Sequence, residues 1–171
     1  MAVPRRARPR RRPRRDQLMA SEQRARVVIV DDEPGVRQIL GMTLDRSERF
    51  EVVAQAEDGR DALSAIETHQ PDVVLLDLML GPEWGTDLIL PALAVSPNSM
   101  IAVMTALSAE REEAAALLAG AFVFYEKTMV TSLVEFLERD LSLFARALAG
   151  EDVLAPSAVQ RRTSAVSRER P

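Results

Sequence analysis

The sequence predicts an α/β protein: a three-layer, doubly wound (βα)5 unit around a five-stranded parallel sheet in the order 2-1-3-4-5. Three observations lead there. Four short runs are apolar throughout, the mark of strands buried on both faces, as in a parallel sheet. Segments with helical apolar spacing separate the runs, so strand and helix alternate along the chain. The polar residues that follow the runs are of site-building types, and in such a sheet they fall at the carboxyl ends of the strands, beside the switch point between strands 1 and 3.

The first run, Val27-Val28-Ile29-Val30, ends in Asp31-Asp32-Glu33. Pro34 suits the first turn of the helix that follows, whose apolar stripe is Val36, Ile39, Leu40 and Leu44. Phe50-Glu51-Val52-Val53-Ala54 alternates more and fits an edge strand. A second helix, Gly59–His69, carries Ala62, Leu63 and Ile66. Val73-Val74-Leu75-Leu76 ends in Asp77, and a short third helix is expected over Thr86–Leu93. Pro91 lies too deep for a first turn, so a kink or early fraying is expected there. Met100-Ile101-Ala102-Val103-Met104 ends in Thr105. Ser108 is placed to cap a fourth helix with acidic first turns (Glu110, Glu112, Glu113), and Gly120 to stop it. The last run, Phe122-Val123-Phe124-Tyr125, closes near Lys127.

Ser132 and Glu135 have capping-box spacing for the last helix. Val134, Leu137, Leu141, Phe144 and Leu148 form a stripe for the sheet. Leu133, Phe136, Leu143 and Ala147 form a second stripe, interrupted by Asp140. The pair of stripes reads either as a partner or dimer face or as one broad core face.

Composition narrows the class. The 171 residues are 47% apolar and lack cysteine, so one domain with a sizeable core fits, while disulfides and thiolate metal sites are excluded. No run approaches the roughly 18 apolar residues of a membrane span, and the start lacks the apolar stretch of a secretory signal, so a cytoplasmic location is expected. Residues 1–15 hold eight Arg and no acid, which leaves −12 on the other 156 residues to reach the net −4. Residues 1–23, rich in Arg and Pro, are expected to be a disordered tail. They read as an arm for anionic surfaces or nucleic acid, or as translated upstream sequence with Met19 as the true start. The arm has no aromatic residue for stacking on bases, so specific nucleic-acid recognition is not expected. The ordered domain is expected over 24–149, and 150–171 as a flexible tail without helical patterning. About 22 residues after the last helix are too few for a helix-turn-helix domain, so output through protein contacts is expected.

Each polar residue has a plain alternative. Asp31 and Asp32 could be a helix cap, Asp77 a turn former, Thr105 a strand end, Lys127 a surface charge. Their joint placement on four strand ends is more specific. Three converging carboxylates repel one another unless a cation intervenes, and a hard divalent cation such as Mg2+ suits them. Lys127, the only lysine beside 21 Arg, adds a second positive charge, and Thr105 a hydroxyl. Together these can hold a transferring phosphoryl group.

The stretches Val-Ile-Val-Asp-Asp-Glu-Pro (28–34), Val-Val-Leu-Leu-Asp-Leu-Met-Leu (73–80), Val-Met-Thr-Ala (103–106) and Gly-Ala-Phe-Val-Phe-Tyr-Glu-Lys (120–127) resemble the receiver domains of two-component response regulators. The resemblance covers about residues 24–149. It implies that Asp77 is the phosphoacceptor, attacking the phosphohistidine of a sensor histidine kinase or histidine phosphotransfer protein. It implies that Asp32 binds Mg2+ directly and Asp31 through water. Asp77 is part of that site, and Met79 lends it a backbone carbonyl. Thr105 would bond the phosphoryl oxygen, Lys127 would pair with it, and Phe124 would be the aromatic switch. A phosphorylation-controlled protein-interaction switch follows, with self-phosphorylation and slow self-dephosphorylation as its only chemistry. Helix 4, strand 5 and helix 5 would form the output face toward an unknown downstream protein or a second copy.

The chain departs from the family's pattern in places. Thr128 follows Lys127 where proline is usual, so a cis bond there would cost about 2.5–4 kcal/mol. Gly81 stands at the usual proline position, with Pro82 one later. Trp84, the only tryptophan, reads as a packing residue or a partner contact. Met79 and Leu107 stand at the positions that tune hydrolysis, and neither can orient water. His69 reads as a surface residue and not a phosphodonor. A haloacid-dehalogenase phosphatase would need an acid where Met79 stands. An FMN-binding flavodoxin would place Asp31 and Asp32 against a phosphate. A nucleic-acid-binding regulator using the basic arm remains the alternative function.

Overall fold

The computed structural model describes residues 24–154, so the expected tail at 1–23 lies outside the described residues. So does 155–171 of the expected tail at 150–171, while Glu151–Leu154 carry neither helix nor strand. The order of elements is β1 (Ala25–Val30), α1 (Pro34–Asp45), β2 (Phe50–Ala56), α2 (Gly59–His69), β3 (Val73–Leu76), β4 (Met79–Leu80), β5 (Glu83–Trp84), α3 (Gly85–Val95), β6 (Met100–Thr105), α4 (Ala109–Ala119), β7 (Val123–Glu126) and α5 (Leu133–Leu148). A 3-10 helix, Lys127–Ser132, joins β7 to α5.

Five strands form one parallel sheet in the order β2-β1-β3-β6-β7. This is the predicted 2-1-3-4-5 order, with two numbers taken by an antiparallel hairpin, β4-β5. Successive side chains on a strand point to opposite faces, and here both faces are buried. Val28, Val30, Val74, Leu76, Ile101, Val103 and Phe124 meet α2, α3 and α4 on one side. Val27, Ile29, Val73, Leu75, Met104, Val123 and Tyr125 meet α1 and α5 on the other. That double burial is why the runs carry no polar alternation, and it gives the three layers.

Several local expectations change. The stretch after Asp77, to which the sequence assigns no element, forms the hairpin. Gly81, at φ 60°, and Pro82 form its two-residue turn, where a positive φ matches the strand twist. Pro91 neither ends nor frays α3, which runs on to Val95. Ile89 and Ala92 on either side of it are fully buried, and their burial offsets the lost backbone bond. Gly120 does stop α4, at φ 112°. Ser108 is at the cap of α4 but makes no side-chain cap bond. Ser132 makes none either, because the 3-10 turn runs into α5 and the Leu133 N–H bonds to the Val130 carbonyl. The Lys127–Thr128 bond is trans, as are all peptide bonds among the described residues.

Leu148 is 41% exposed, whereas most of both stripes of α5 contributes to one core face. Leu133, Leu137 and Asp140 are its buried centre. Val134, Phe136, Leu141 and Phe144 pack around them.

Candidate functional site

Strand ends deliver the side chains. Val30 and Leu76 are neighbours in register, so Asp31 and Asp77 leave adjacent strands together. Their backbones stay anchored: Asp77 N–H donates to the Val30 carbonyl at 2.8 Å, and Asp31 N–H to the Ala56 carbonyl at 3.1 Å. Thr105 ends the next strand and is in register with Glu126, the residue before Lys127. Gly85 opens α3 hard against this point. A Cβ there would lie 2.1 Å from the Asp77 carbonyl oxygen, so only glycine fits.

Asp31, Asp32 and Asp77 each present a carboxylate oxygen, and all three lie within 4.8 Å of one another. Lys127 Nζ bridges two of them, at 2.7 Å to Asp31 Oδ2 and 2.6 Å to Asp77 Oδ2. Backbone donors set the carboxylates: Glu33 N–H bonds Asp31 Oδ1, Met79 N–H bonds Asp77 Oδ1 and Gly81 N–H bonds Asp32 Oδ2. The hairpin therefore orients two of the three acids. It is itself tied down by Glu83, whose carboxylate accepts the Gly59 N–H at the start of α2.

Burial governs the electrostatics. The side chains of Asp31 and Asp77 are 2% and 5% exposed. Burial raises the pKa of Asp31 above its ordinary value, against the lowering pull of Lys127 and the Glu33 amide. Burial alone would depress Lys127, but its hydrogen bonds to Asp31 and Asp77 hold it above the usual lysine value. Three carboxylates against one ammonium leave two negative charges in an all-oxygen site. That donor set suits a hard divalent cation with Mg2+ preferences.

The other predicted residues are placed as follows. Thr105 is fully buried, and its hydroxyl oxygen accepts a long bond from Leu107 N–H at 3.4 Å. Phe124 is fully buried with α4 residues Ala109 and Ala116 in its cluster. Met79 and Trp84 are paired across the hairpin at the rim of the site, and each is about half exposed. Leu107 leans on the core. His69 ends α2, where its carbonyl accepts from Arg26 at the start of β1, at the far end of the sheet.

Sequence reasoning missed four contributors. Arg37 donates to the Asp31 carbonyl at 2.6 Å and pairs with Glu57, which braces the Asp31-Asp32 loop. Gly85 is needed for the close approach just described. Glu126 bonds the first residue of α4. Tyr125 donates its hydroxyl to Asp140 at 2.7 Å, deep between β7 and α5. Gly81-Pro82 was the available signal for the hairpin; the four contributors above rest on contacts that only the folded chain brings together.

Doubly wound order, acids at the switch point and a lysine just after the last strand define the class: a parallel α/β domain whose strand ends form an acidic site fitted to a divalent cation. Comparison with known proteins gives the family: residues 27–137 match the response regulator receiver domain, and the chain belongs to it. Chemotaxis protein CheY of Thermotoga maritima is 31% identical over 109 residues, 64% of this chain and 90% of that protein. Transcriptional regulatory protein PdtaR of Mycobacterium tuberculosis is 33% identical over 129 residues, 74% of this chain and 62% of its own length. A protein-glutamate methylesterase/protein-glutamine glutaminase of Paramagnetospirillum magneticum is 36% identical, but the match covers 60% of this chain and only 30% of that protein. Among solved structures, the receiver domain of the putative response regulator NarL from Mycobacterium tuberculosis superposes with a TM-score of 0.65 at 28% identity, covering 70% of this chain and 98% of that one. A LuxR-family response regulator from Aurantimonas reaches 0.67 at 26% identity, covering 86% of this chain and all of that one. Receiver domains are regulatory modules that bind Mg2+ at an acidic pocket and interact with histidine kinases and effectors. No helix among the described residues is long and apolar enough to cross a membrane.

Proposed function

We propose that residues 24–149 form a phosphorylation-controlled switch, with 1–23 and 150–171 as tails, acting in the cytoplasm. The observation that carries this is the Asp77 carboxylate, held at the sheet's switch point by Met79 N–H and Lys127 Nζ beside two further acids. An Asp77 oxygen attacks the phosphorus of a phosphohistidine on a sensor histidine kinase or phosphotransfer protein. The P–N bond breaks, an O–P bond forms, and the imidazole nitrogen leaves with the electron pair. A carboxylate nucleophile needs no general base.

Asp31, Asp32, Asp77 and the Met79 carbonyl would hold Mg2+, which supplies positive charge to the transferring phosphoryl oxygens. Lys127 stabilises the charge that develops on those oxygens. Thr105 turns its hydroxyl to the bound phosphoryl group and Phe124 follows, which shifts the face built from α4, β7 and α5. A downstream protein, or a second copy of the chain, reads that face. The chain turns over no substrate other than its own phosphoryl group.

The test is acetyl phosphate with Mg2+ on the full chain and on Asp77→Asn, followed by intact mass. One phosphoryl adduct on the wild type and none on the variant is expected. An adduct that survives the substitution overturns the assignment.

A further inference from the structure

We infer that Glu126 is a positioning residue for the phosphoryl switch: its carboxylate latches the start of α4 in the resting arrangement, and the latch opens when Thr105 moves toward Asp77. This rests on the function proposed above. Alternation along β7 places Glu126 on the same face as Phe124, under α4. Glu126 is 8% exposed, and its Oε1 accepts the Ala109 N–H at 3.2 Å. Ala109 is the first residue of α4. Ser108, which stands where a capping side chain belongs, makes no such bond. The job of a cap is therefore taken over by a carboxylate from the strand that carries the switch aromatic and leads into the lysine.

The geometry makes this contact a lever. Thr105 is the register partner of Glu126, and only Ala106, Leu107 and Ser108 separate it from Ala109. Three residues give little slack, so Thr105 cannot travel far while Ala109 is pinned. The bond that holds the Thr105 hydroxyl in its own loop is long and weak, at 3.4 Å, whereas the Glu126 bond is shorter, at 3.2 Å, and buried. The stronger of the two sets the resting position. Glu126 also adjoins Lys127, which is bound to Asp31 and Asp77. A new charge on Asp77 that pulls Lys127 displaces the adjacent backbone and strains the Ala109 contact from the other end.

The test uses the full chain with acetyl phosphate and Mg2+, and compares wild type, Glu126→Ala and Glu126→Gln. Glu126→Ala is expected to gain the adduct about fivefold faster, the scale of one lost hydrogen bond. Glu126→Gln keeps an acceptor oxygen and is expected to stay within about twofold of wild type. A role confined to stability would lower the melting temperature and leave the adduct rate unchanged. An unchanged rate in Glu126→Ala, or an equal change in both variants, overturns the latch. Should Glu126→Ala fail to fold, hydrogen exchange of the Ala109 amide in the wild type decides. Protection lost on phosphorylation supports the latch, and protection retained overturns it. No adduct on wild type would overturn the phosphoacceptor reading and the latch together, whereas a normal adduct with an unaffected Ala109 sinks the latch alone.

Discussion

Replacing Lys127 with methionine separates the electrostatic account of the site from simple packing. Methionine fills most of the lysine stem, so the change removes mainly charge. Two carboxylates that are 2% and 5% exposed then lose their shared cation, which is itself 18% exposed. Removing one partner of a buried pair costs about 3–5 kcal/mol, and the exposed rim at Asp32 points to the lower end. At about 4 °C per kcal/mol for a domain of this size, the metal-free melting temperature should fall by roughly 12 °C. Magnesium should oppose the loss more strongly in the variant than in wild type, because the ammonium no longer competes for the same oxygens. Phosphorylation by acetyl phosphate should still slow by about 100-fold, since one group aimed at the developing charge is gone. The assay is thermal unfolding in EDTA and in a Mg2+ series, with intact mass for the adduct. An unchanged melting temperature in EDTA, or weaker Mg2+ stabilisation than in wild type, would refute the reasoning.

Gly85→Ala should destabilise by about 3 kcal/mol or more in urea and depress adduct formation, because a Cβ at 2.1 Å from the Asp77 carbonyl must displace the Asp77 backbone. Tyr125→Phe should cost about 1–3 kcal/mol by leaving the buried Asp140 carboxylate short of a donor; an unchanged urea midpoint would show that Asp140 does not depend on the phenol. Burial raises the pKa of Asp31, so its contribution to stability is full below the unfolded pKa of about 3.9 and is lost as pH rises through the folded value. In EDTA, Asp31→Asn should therefore melt above wild type at pH 7, with the gap closing as the pH is lowered toward 4. A variant that melts below wild type at pH 7 contradicts this. Met79 and Leu107 offer no group to orient water, so the phosphoryl adduct should last minutes or longer at neutral pH, and decay within seconds by intact mass would exclude it.

Much of the fold was legible because a parallel sheet imposes a simple signature. Val73–Leu76 and Met100–Met104 are apolar at every position because both faces are covered, and no alternative element of that length has the same need. Acids at the ends of such runs were legible for the same reason, since a carboxylate directly after a fully buried run lies at the sheet's carboxyl edge. What escaped depends on partners distant in sequence. Asp140 looks like a break in an apolar stripe until Tyr125, fifteen residues earlier and on a strand, supplies a hydroxyl. Ser132 has capping-box spacing, but a cap also requires extended backbone before the helix, and the 3-10 turn removes it. Gly85 reads as loop punctuation, and only the fold brings the Asp77 carbonyl to where a Cβ would be. The hairpin at Met79–Trp84 was within reach of the sequence through Gly81-Pro82, yet two-residue strands are too short for any periodicity to register.

The lopsided cation usage acquires a physical reason from the site. In a chain with 21 Arg, a lone lysine invites the question of what arginine could not do. Lys127 places one nitrogen within 2.7 Å of two carboxylates on neighbouring strands. A tetrahedral ammonium can aim separate N–H groups at both acids and still turn one toward a third acceptor. A guanidinium spreads its charge over a plane and suits side-by-side oxygens of a single carboxylate. It would occupy the space between Asp31 and Asp77 with carbon and nitrogen where the proposed function brings in a phosphoryl group. Under the proposed phosphoryl transfer the charge at this position has to be compact, steerable and able to change partners when Asp77 does, and lysine is the side chain that meets all three conditions.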